Sequence, residues 1–81
     1  MIPPAELKRL QDQLQGRRRE VNQILDRVSK RRVARTQQNV VTNIRNFLTL
    51  SAEAEQRNDI RQADALAERA QILARDLQNG K

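Results

Sequence analysis

Two short runs of basic residues are the groups in this sequence best suited to do chemistry. The first run is Arg17 to Arg19, and the second is Lys30 to Arg32, followed by Arg35. Guanidinium and ammonium groups bind phosphates and carboxylates through charge-assisted hydrogen bonds, and cations near a helix C-terminus also favour its dipole. The candidate anion-contact residues are Arg17, Arg18, Arg19, Lys30, Arg31, Arg32 and Arg35.

The distribution of charge along the chain is uneven. Residues 1–35 hold ten Lys or Arg against four Asp or Glu, whereas residues 36–81 hold six of each, so the formal excess of +6 lies in the first part. This asymmetry indicates an anionic partner such as nucleic acid, an acidic protein or a lipid surface. A competing interpretation is a solvated surface that favours the helix, because Asp12, Glu20 and Asp26 lie among the cations.

The composition argues against catalysis. The chain has no His and no Cys, which excludes zinc sites built from these residues, nucleophiles activated by His, and a histidine pH switch. The Asp and Glu residues show no spacing typical of a carboxylate metal site. We therefore predict a protein that is not an enzyme and that carries no cofactor.

Three amphipathic helices are the elements that must position these residues. The first, at about residues 4–30, has the apolar stripe Leu7, Leu10, Leu14, Val21, Ile24 and Val28. After a turn near residues 30–35, the second, at about 35–57, has the stripe Val33, Val40, Val41, Ile44, Phe47, Leu48, Ser51 and Ala54. The third, at about 59–78, has the stripe Ala63, Leu66, Ala67, Ala70, Leu73, Ala74 and Leu77. Apolar spacings of three and four residues predict helices that bury one face.

The ends of the third helix carry clear signals. Asn58 and Asp59 are suited to cap its start, and Gln62 stands three residues after Asp59, as in a capping box. Asn79 and Gly80 are suited to end it. Three such helices with short connections predict one all-α domain over residues 1–81, an up-down-up three-helix bundle with a long first helix. An extended first helix with a compact hairpin behind it, associating as a dimer, is the alternative.

No apolar run approaches the roughly 20 residues needed to span a bilayer, and the N-terminus lacks the layout of a signal peptide. We therefore expect a soluble chain, and both the cytoplasm and the periplasm stay open as its compartment.

Two charged residues fall within the apolar stripes. Arg17 shares the register of the first stripe, beside Gly16, where glycine weakens a helix. We expect its side chain to extend past Gly16 to solvent, the alternative being contact with a carboxylate of a partner. Glu55 falls within the second stripe, and we interpret it as marking the fraying end of that helix.

Two large apolar residues lie off the stripes. Leu50 and Ile72 would be exposed in a monomeric three-helix bundle, and Ala65 shares a face with Ile72. Apolar residues that fall on one exposed surface indicate a protein contact or self-association. The candidate protein-contact residues are Leu50, Ala65 and Ile72.

The segment from Phe47 to Ala70 resembles a single tetratricopeptide-repeat unit. Its positions at the packing spacings of that motif are Phe47, Leu50, Ser51, Ala54, Asn58, Ile60, Ala63, Ala67 and Ala70. The resemblance covers under a third of the chain and implies a helical hairpin that binds protein, with Leu50 packed between paired helices.

Two further resemblances concern the layout of the chain. A basic first helix followed by a hairpin capped at Asn58 and Asp59 is similar to the three-helix ribosomal protein of the small subunit, which implies RNA binding. The chain also resembles short uncharacterised helical segments of bacterial envelope proteins, which implies no activity.

From these observations we predict a non-enzymatic helical module for protein interaction or assembly, whose partner is another protein or a second copy. The alternative is a basic accessory domain that binds the phosphates of RNA or DNA. Salt distinguishes the two, because phosphate binding releases counterions and weakens steeply as salt is added.

Overall fold

The computed structural model describes residues 2–31 and 34–79. Three helices account for nearly all of them: α1 (Pro4–Ser29), α2 (Arg35–Gln56) and α3 (Ile60–Gln78). No strand occurs within these described ranges. The predicted all-α fold with a long first helix is confirmed, whereas the predictions that involve Arg32, Val33 and Gly80 fall outside the described residues.

The first two helices begin with different local devices. Pro4 occupies the first turn of α1, where its missing N–H would have no helical partner. The start of α2 lacks a Ser, Thr, Asp or Asn cap; instead the N–H of Ala34 donates to the side chain of Gln37 at 3.4 Å. Gln37 therefore gives the turn before α2 a polar partner that the sequence pattern did not reveal.

The turn between α2 and α3 is short and well satisfied. The N–H of Asp59 donates to the Ala54 carbonyl, the N–H of Asn58 donates to the Glu55 carbonyl, and Asn58 has a φ of 64°. These are the hydrogen bonds of a Schellman motif, with Asn in the left-handed position that Gly more often fills. The Asp59 carboxylate then accepts from the N–H of Gln62, which caps α3 as predicted. The reciprocal bond of a capping box is not formed, because the N–H of Asp59 already serves α2.

Contacts between the helices establish the up-down-up order. Glu6 pairs with Arg61 and Glu20 with Arg75, so α1 and α3 run parallel. The ion pair of Arg18 with Glu55 joins the middle of α1 to the end of α2, which runs antiparallel to it. The molecule measures 44 × 17 × 17 Å. Because α1 lies against α3 along its length, the alternative of an extended first helix does not hold.

The three helices are not equally close to one another. Helix α3 packs tightly against both neighbours, while the backbones of α1 and α2 scarcely approach each other. The cause is the small side chains along α3, which let its backbone come close to each partner. The fully buried alanines of this stripe are Ala63, Ala67, Ala70 and Ala74.

The core consists of two apolar clusters. One lies toward the α1–α2 connection and is formed by buried Val21, Ile24, Leu25, Val28, Ile44, Ala70, Ala74 and Leu77. The other lies toward the α2–α3 turn and is formed by buried Leu14, Ala54, Ile60, Ala63 and Ala67. Between them, Ser51, Asp64 and Gln71 are buried polar residues. These side chains and the two arginines that reach them form what we call the polar layer.

Candidate interaction surfaces

Arg17 is the centre of the polar layer. Its Nε donates to the Asp64 carboxylate at 3.0 Å, one terminal nitrogen donates to the Gln71 side chain, and the other lies 3.2 Å from the Glu68 carboxylate. Gln13 also donates to Asp64, at 2.9 Å. The guanidinium therefore has partners from two turns of α3, and Asp64 is satisfied from two sides.

The expected extension of the Arg17 side chain to solvent is wrong. The side chain is 19% exposed and the Asp64 side chain 12% exposed, and the carboxylate that Arg17 meets belongs to its own chain. The register of α1 directs Arg17 toward α3, where Asp64 and Gln71 lie on the flank of the alanine stripe. Asp64 and Gln71 each directly follow a stripe position, but which residue of α1 they meet depends on the alignment of α3 along α1.

Arg18 forms the second part of the polar layer, between α1 and α2. Its guanidinium donates to the Glu55 carboxylate at 2.6 Å and to the Ser51 hydroxyl at 3.1 Å. That hydroxyl in turn donates to the Ala63 carbonyl at 2.7 Å. Glu55 does lie in the last turn of α2, but its carboxylate holds α1 rather than marking a frayed end.

The basic clusters are consequently divided by the fold. Arg17 and Arg18 are each 19% exposed and bind carboxylates of their own chain, whereas Arg19 is exposed on α1. Lys30 is exposed, with its ammonium 3.6 Å from Asp26. Arg31 and Arg35 are exposed near the α1–α2 connection. Arg32 lies outside the described residues.

The acidic side chains are largely occupied within the chain. All of them fall in the described ranges, and Asp59 serves as a helix cap. The carboxylates that take part in ion pairs are Glu6, Glu20, Asp26, Glu55, Asp64 and Glu68. The described cations without an ion pair are Lys8, Arg9, Arg19, Arg27, Arg31, Arg35, Arg45, Arg57 and Arg69. The described charged residues without an ion pair are therefore mostly cations, because Asp12, Glu53, Asp59 and Asp76 are the carboxylates that remain outside these pairs.

The pair of Glu20 and Arg75 bridges α1 and α3 at the surface. Two guanidinium nitrogens of Arg75 donate to the two carboxylate oxygens of Glu20, at 2.6 and 3.0 Å. The hydrogen bond from Arg75 lowers the pKa of Glu20, partly opposed by desolvation, and the same pair raises the pKa of Arg75. This bidentate geometry is stronger than that of a typical surface ion pair.

The candidate protein-contact residues are exposed as expected. Leu50 is 46% and Ile72 is 52% exposed, and Ala65 is also exposed. Ile72 borders a hollow of about 500 Å³ on the α2–α3 hairpin, whose lining is Phe47, Glu68, Arg69, Ile72 and Leu73. Leu50 is not part of this lining, but it lies one helical turn from Phe47 on α2. We call Leu50, Phe47, Ile72 and Leu73 the hairpin patch.

A second surface, absent from the sequence interpretation, is the groove that α1 and α2 leave between them. Two adjoining hollows of about 400 and 470 Å³ share Leu25, Ser29 and Arg45. Apolar side chains of both helices form the floor, and polar groups form the rim. The remaining residues of the groove are Asn22, Asp26, Val28, Arg31, Gln38, Val41, Thr42, Leu48 and Thr49.

Comparisons of this chain with protein-family models, curated proteins and solved structures gave no match. The resemblance to a tetratricopeptide-repeat unit stays a prediction, although the exposure of Leu50 differs from the packing that it implies. Within residues 2–31 and 34–79, no helix is both long enough and apolar enough to cross a membrane. The same residues contain no cluster of Asp and Glu that could hold a metal ion.

Proposed function

We propose that this chain is a non-enzymatic helical interaction module that binds another protein chain through the hairpin patch. The observation that carries the proposal is the exposure of Leu50 and Ile72 on an otherwise polar surface, with Ile72 beside an open hollow. Burial of these side chains against a partner would remove apolar area from water, which is the main driving force of association. Arg69, which lines the hollow and has no ion pair among the described residues, would steer the approach of the partner.

The alternative function is binding of RNA or DNA phosphates by Arg19, Lys30, Arg31 and Arg35. The observation that favours it is the exposure of Arg19, Arg31 and Arg35, which have no ion pair among the described residues, while Lys30 pairs with Asp26. Its weakness is that Arg17 and Arg18 are ion-paired within the chain and only 19% exposed. Single-stranded nucleic acid is also bound commonly by aromatic stacking, and Phe47 is the sole aromatic residue of the sequence.

The molecular mass in solution, measured by light scattering at low and high salt, tests the proposal. The wild type is compared with Ile72→Glu and Leu50→Glu, and Gln11→Glu provides a matched control on an exposed position of α1. An oligomer that resists salt, and that becomes a monomer in Ile72→Glu and Leu50→Glu but not in Gln11→Glu, would support apolar association of two copies. A monomer whose mass does not change when RNA is added would indicate that the partner is a different protein.

The same measurement with a short mixed-sequence RNA tests the alternative. The result that would overturn the proposal in favour of phosphate binding is a complex with RNA that forms at low salt and dissociates at high salt. This complex would also form with Ile72→Glu.

A further inference from the structure

We propose that the groove between α1 and α2 binds an acidic amphipathic helix of a partner protein, which completes a four-helix arrangement. The inference rests on the proposed function, because it also takes the partner to be a protein, and it adds the chemistry of that partner. The groove and the hairpin patch share no residue, so the two surfaces are tested separately.

The shape of the groove follows from the unequal spacing of the helices. The alanine stripe draws α3 close to both neighbours, whereas the larger side chains of α1 and α2, with the Arg18 guanidinium between them, keep these two backbones apart. Helices packed at 8–10 Å leave no such opening when all three spacings are alike. A long furrow therefore remains on the side of the bundle opposite to α3.

The floor of the groove is apolar and incompletely covered. Leu25 is nearly buried, while Val41 and Leu48 are half-buried and face the open side of the hollows. From Asn22 to Ser29 the lining of α1 spans two helical turns, about 10 Å along the axis. That length suits the apolar side chains at positions i, i+3 or i+4, and i+7 of a docked helix.

The charges of the rim select an acidic occupant. Arg45 lines both hollows and Arg31 lines the hollow of about 400 Å³, and neither has an ion pair among the described residues. Asp26 is also in the lining, but Lys30 lies 3.6 Å from its carboxylate. A carboxylate brought alongside Arg45 would meet an unpaired guanidinium at the edge of an apolar floor, where screening by water is reduced.

A second copy of this chain does not meet this requirement. Most of its carboxylates are used in intramolecular ion pairs or as a helix cap. The two copies would also each carry a formal charge of +6. Electrostatic complementarity therefore favours a different protein with Glu or Asp flanking an apolar stripe.

A pair of synthetic peptides tests the inference. The probe is a helical peptide of about 14 residues with Leu at the stripe positions and Glu beside them. The matched peptide has Lys in place of each Glu. With the 15N-labelled full chain, we expect the acidic peptide to shift the amide resonances of Leu25, Val41, Thr42 and Leu48, and the basic peptide to leave them unchanged.

Charge-reversal variants test the role of the rim. Arg45 is exposed and has no side-chain hydrogen bond or ion pair among the described residues, so Arg45→Glu should leave the bundle intact and weaken binding of the acidic peptide about tenfold. Arg9→Glu makes the same change of charge far along α1, outside the groove, and should alter the affinity by less than about twofold. Arg31→Glu provides a second rim variant outside the helices.

The outcomes separate this inference from the proposed function. Three results would overturn the proposal of a binding groove. These are equal binding of the two peptides, no binding of the acidic peptide up to about 1 mM, and equal effects of Arg45→Glu and Arg9→Glu on its affinity. Binding of phosphatidylglycerol vesicles, with no response to the acidic peptide, would overturn it in favour of a lipid surface. Since Ile72→Glu leaves the groove untouched, its effect on self-association reports on the hairpin patch alone.

Discussion

Helix α3 meets its two neighbours with different chemistry. Toward α2 it presents alanines against Ile44 and Phe47, and the polar contact there is the Ser51 hydroxyl on the Ala63 carbonyl. Toward α1 it adds ion pairs at three levels, with Arg61, Asp64 and Arg75. The α2–α3 seam thus depends on burial and a tight turn, whereas the α1–α3 seam depends additionally on charge. Conditions that screen or neutralise charge should therefore loosen α1 before they affect the hairpin.

The largest effect is expected from a cavity in the apolar core. Ile44→Ala removes a fully buried side chain and should lower the free energy of unfolding by about 3 kcal/mol. Urea unfolding at low and high salt measures it, and the loss should be the same in both because no charge is involved. Val40→Ala, at a half-buried position of the same helix, serves as the smaller control. A loss at Ile44 that depends on salt would contradict the division between the seams.

A smaller loss is expected when the polar layer is broken. Asp64→Ala leaves Arg17 mostly buried with only part of its partners and should cost about 2 kcal/mol, less at high salt. Glu68→Ala removes a half-exposed partner of the same arginine and should cost under about 0.5 kcal/mol.

A paired replacement shows whether the polar layer contributes net stability or only selects the alignment of α1 on α3. In Arg17→Met with Asp64→Leu, both charges give way to apolar groups, and most of the loss seen in Asp64→Ala should be recovered. If the paired variant is less stable than Asp64→Ala, the ion pair is itself a net stabilising contact.

Much of the fold follows from short-range patterns in the sequence. The apolar spacings, Pro4, and the Asn58-Asp59 turn define helices whose ends lie within one residue of the predicted ones. These features are local, so the sequence expresses them directly. The start of α2 differs, because Gln37 makes the N3 contact of a capping box while Ala34 at the N-cap has no side-chain oxygen by which that pattern is recognised.

The partners of the charged residues could not be predicted in the same way. Whether Arg17 meets solvent or Asp64 depends on how far α3 is shifted along α1, which side-chain packing across the bundle decides. The groove beside Arg45 has the same origin, because it reflects the unequal distances between helices rather than any one stripe. The exposure of Leu50 and Ile72 was predictable, since a residue opposite its own apolar stripe is exposed in any packing of a small bundle.

A gain in stability is expected at the glycine of α1. Gly16 is exposed, and a β-carbon added there would meet no atom within 4 Å. Gly16→Ala should therefore stabilise the helix beside the polar layer by about 0.5 to 1 kcal/mol, a rise in Tm of several degrees by thermal unfolding. Gly16→Ser should give a smaller rise. If α1 is the more weakly held helix, the gain will appear as slower amide exchange in α1 more than in the hairpin.

The smallest effect is expected on the loss of stability at acid pH, which tests the charged contact between α1 and α3. The pKa of Glu20 is lowered in the folded protein from its ordinary value of 4.5, chiefly by the hydrogen bond from Arg75. Its contribution to stability is therefore fully present above about pH 4.5 and is lost as pH falls through the lower folded value. In Glu20→Gln, urea unfolding between pH 7 and pH 3 should show a slightly shallower decline than the wild type.

Arg75→Gln tests the same pair from the other side. It removes the chief cause of the lowered pKa of Glu20, so it should flatten the acid decline to nearly the same extent, and the double variant should flatten it little further than Glu20→Gln. Amide exchange at pH 4 should then show faster opening of α1 in both variants, with the α2–α3 hairpin unchanged. Equal acceleration in all three helices would mean that the bundle opens as one unit, and that the charged seam is no weaker than the apolar one.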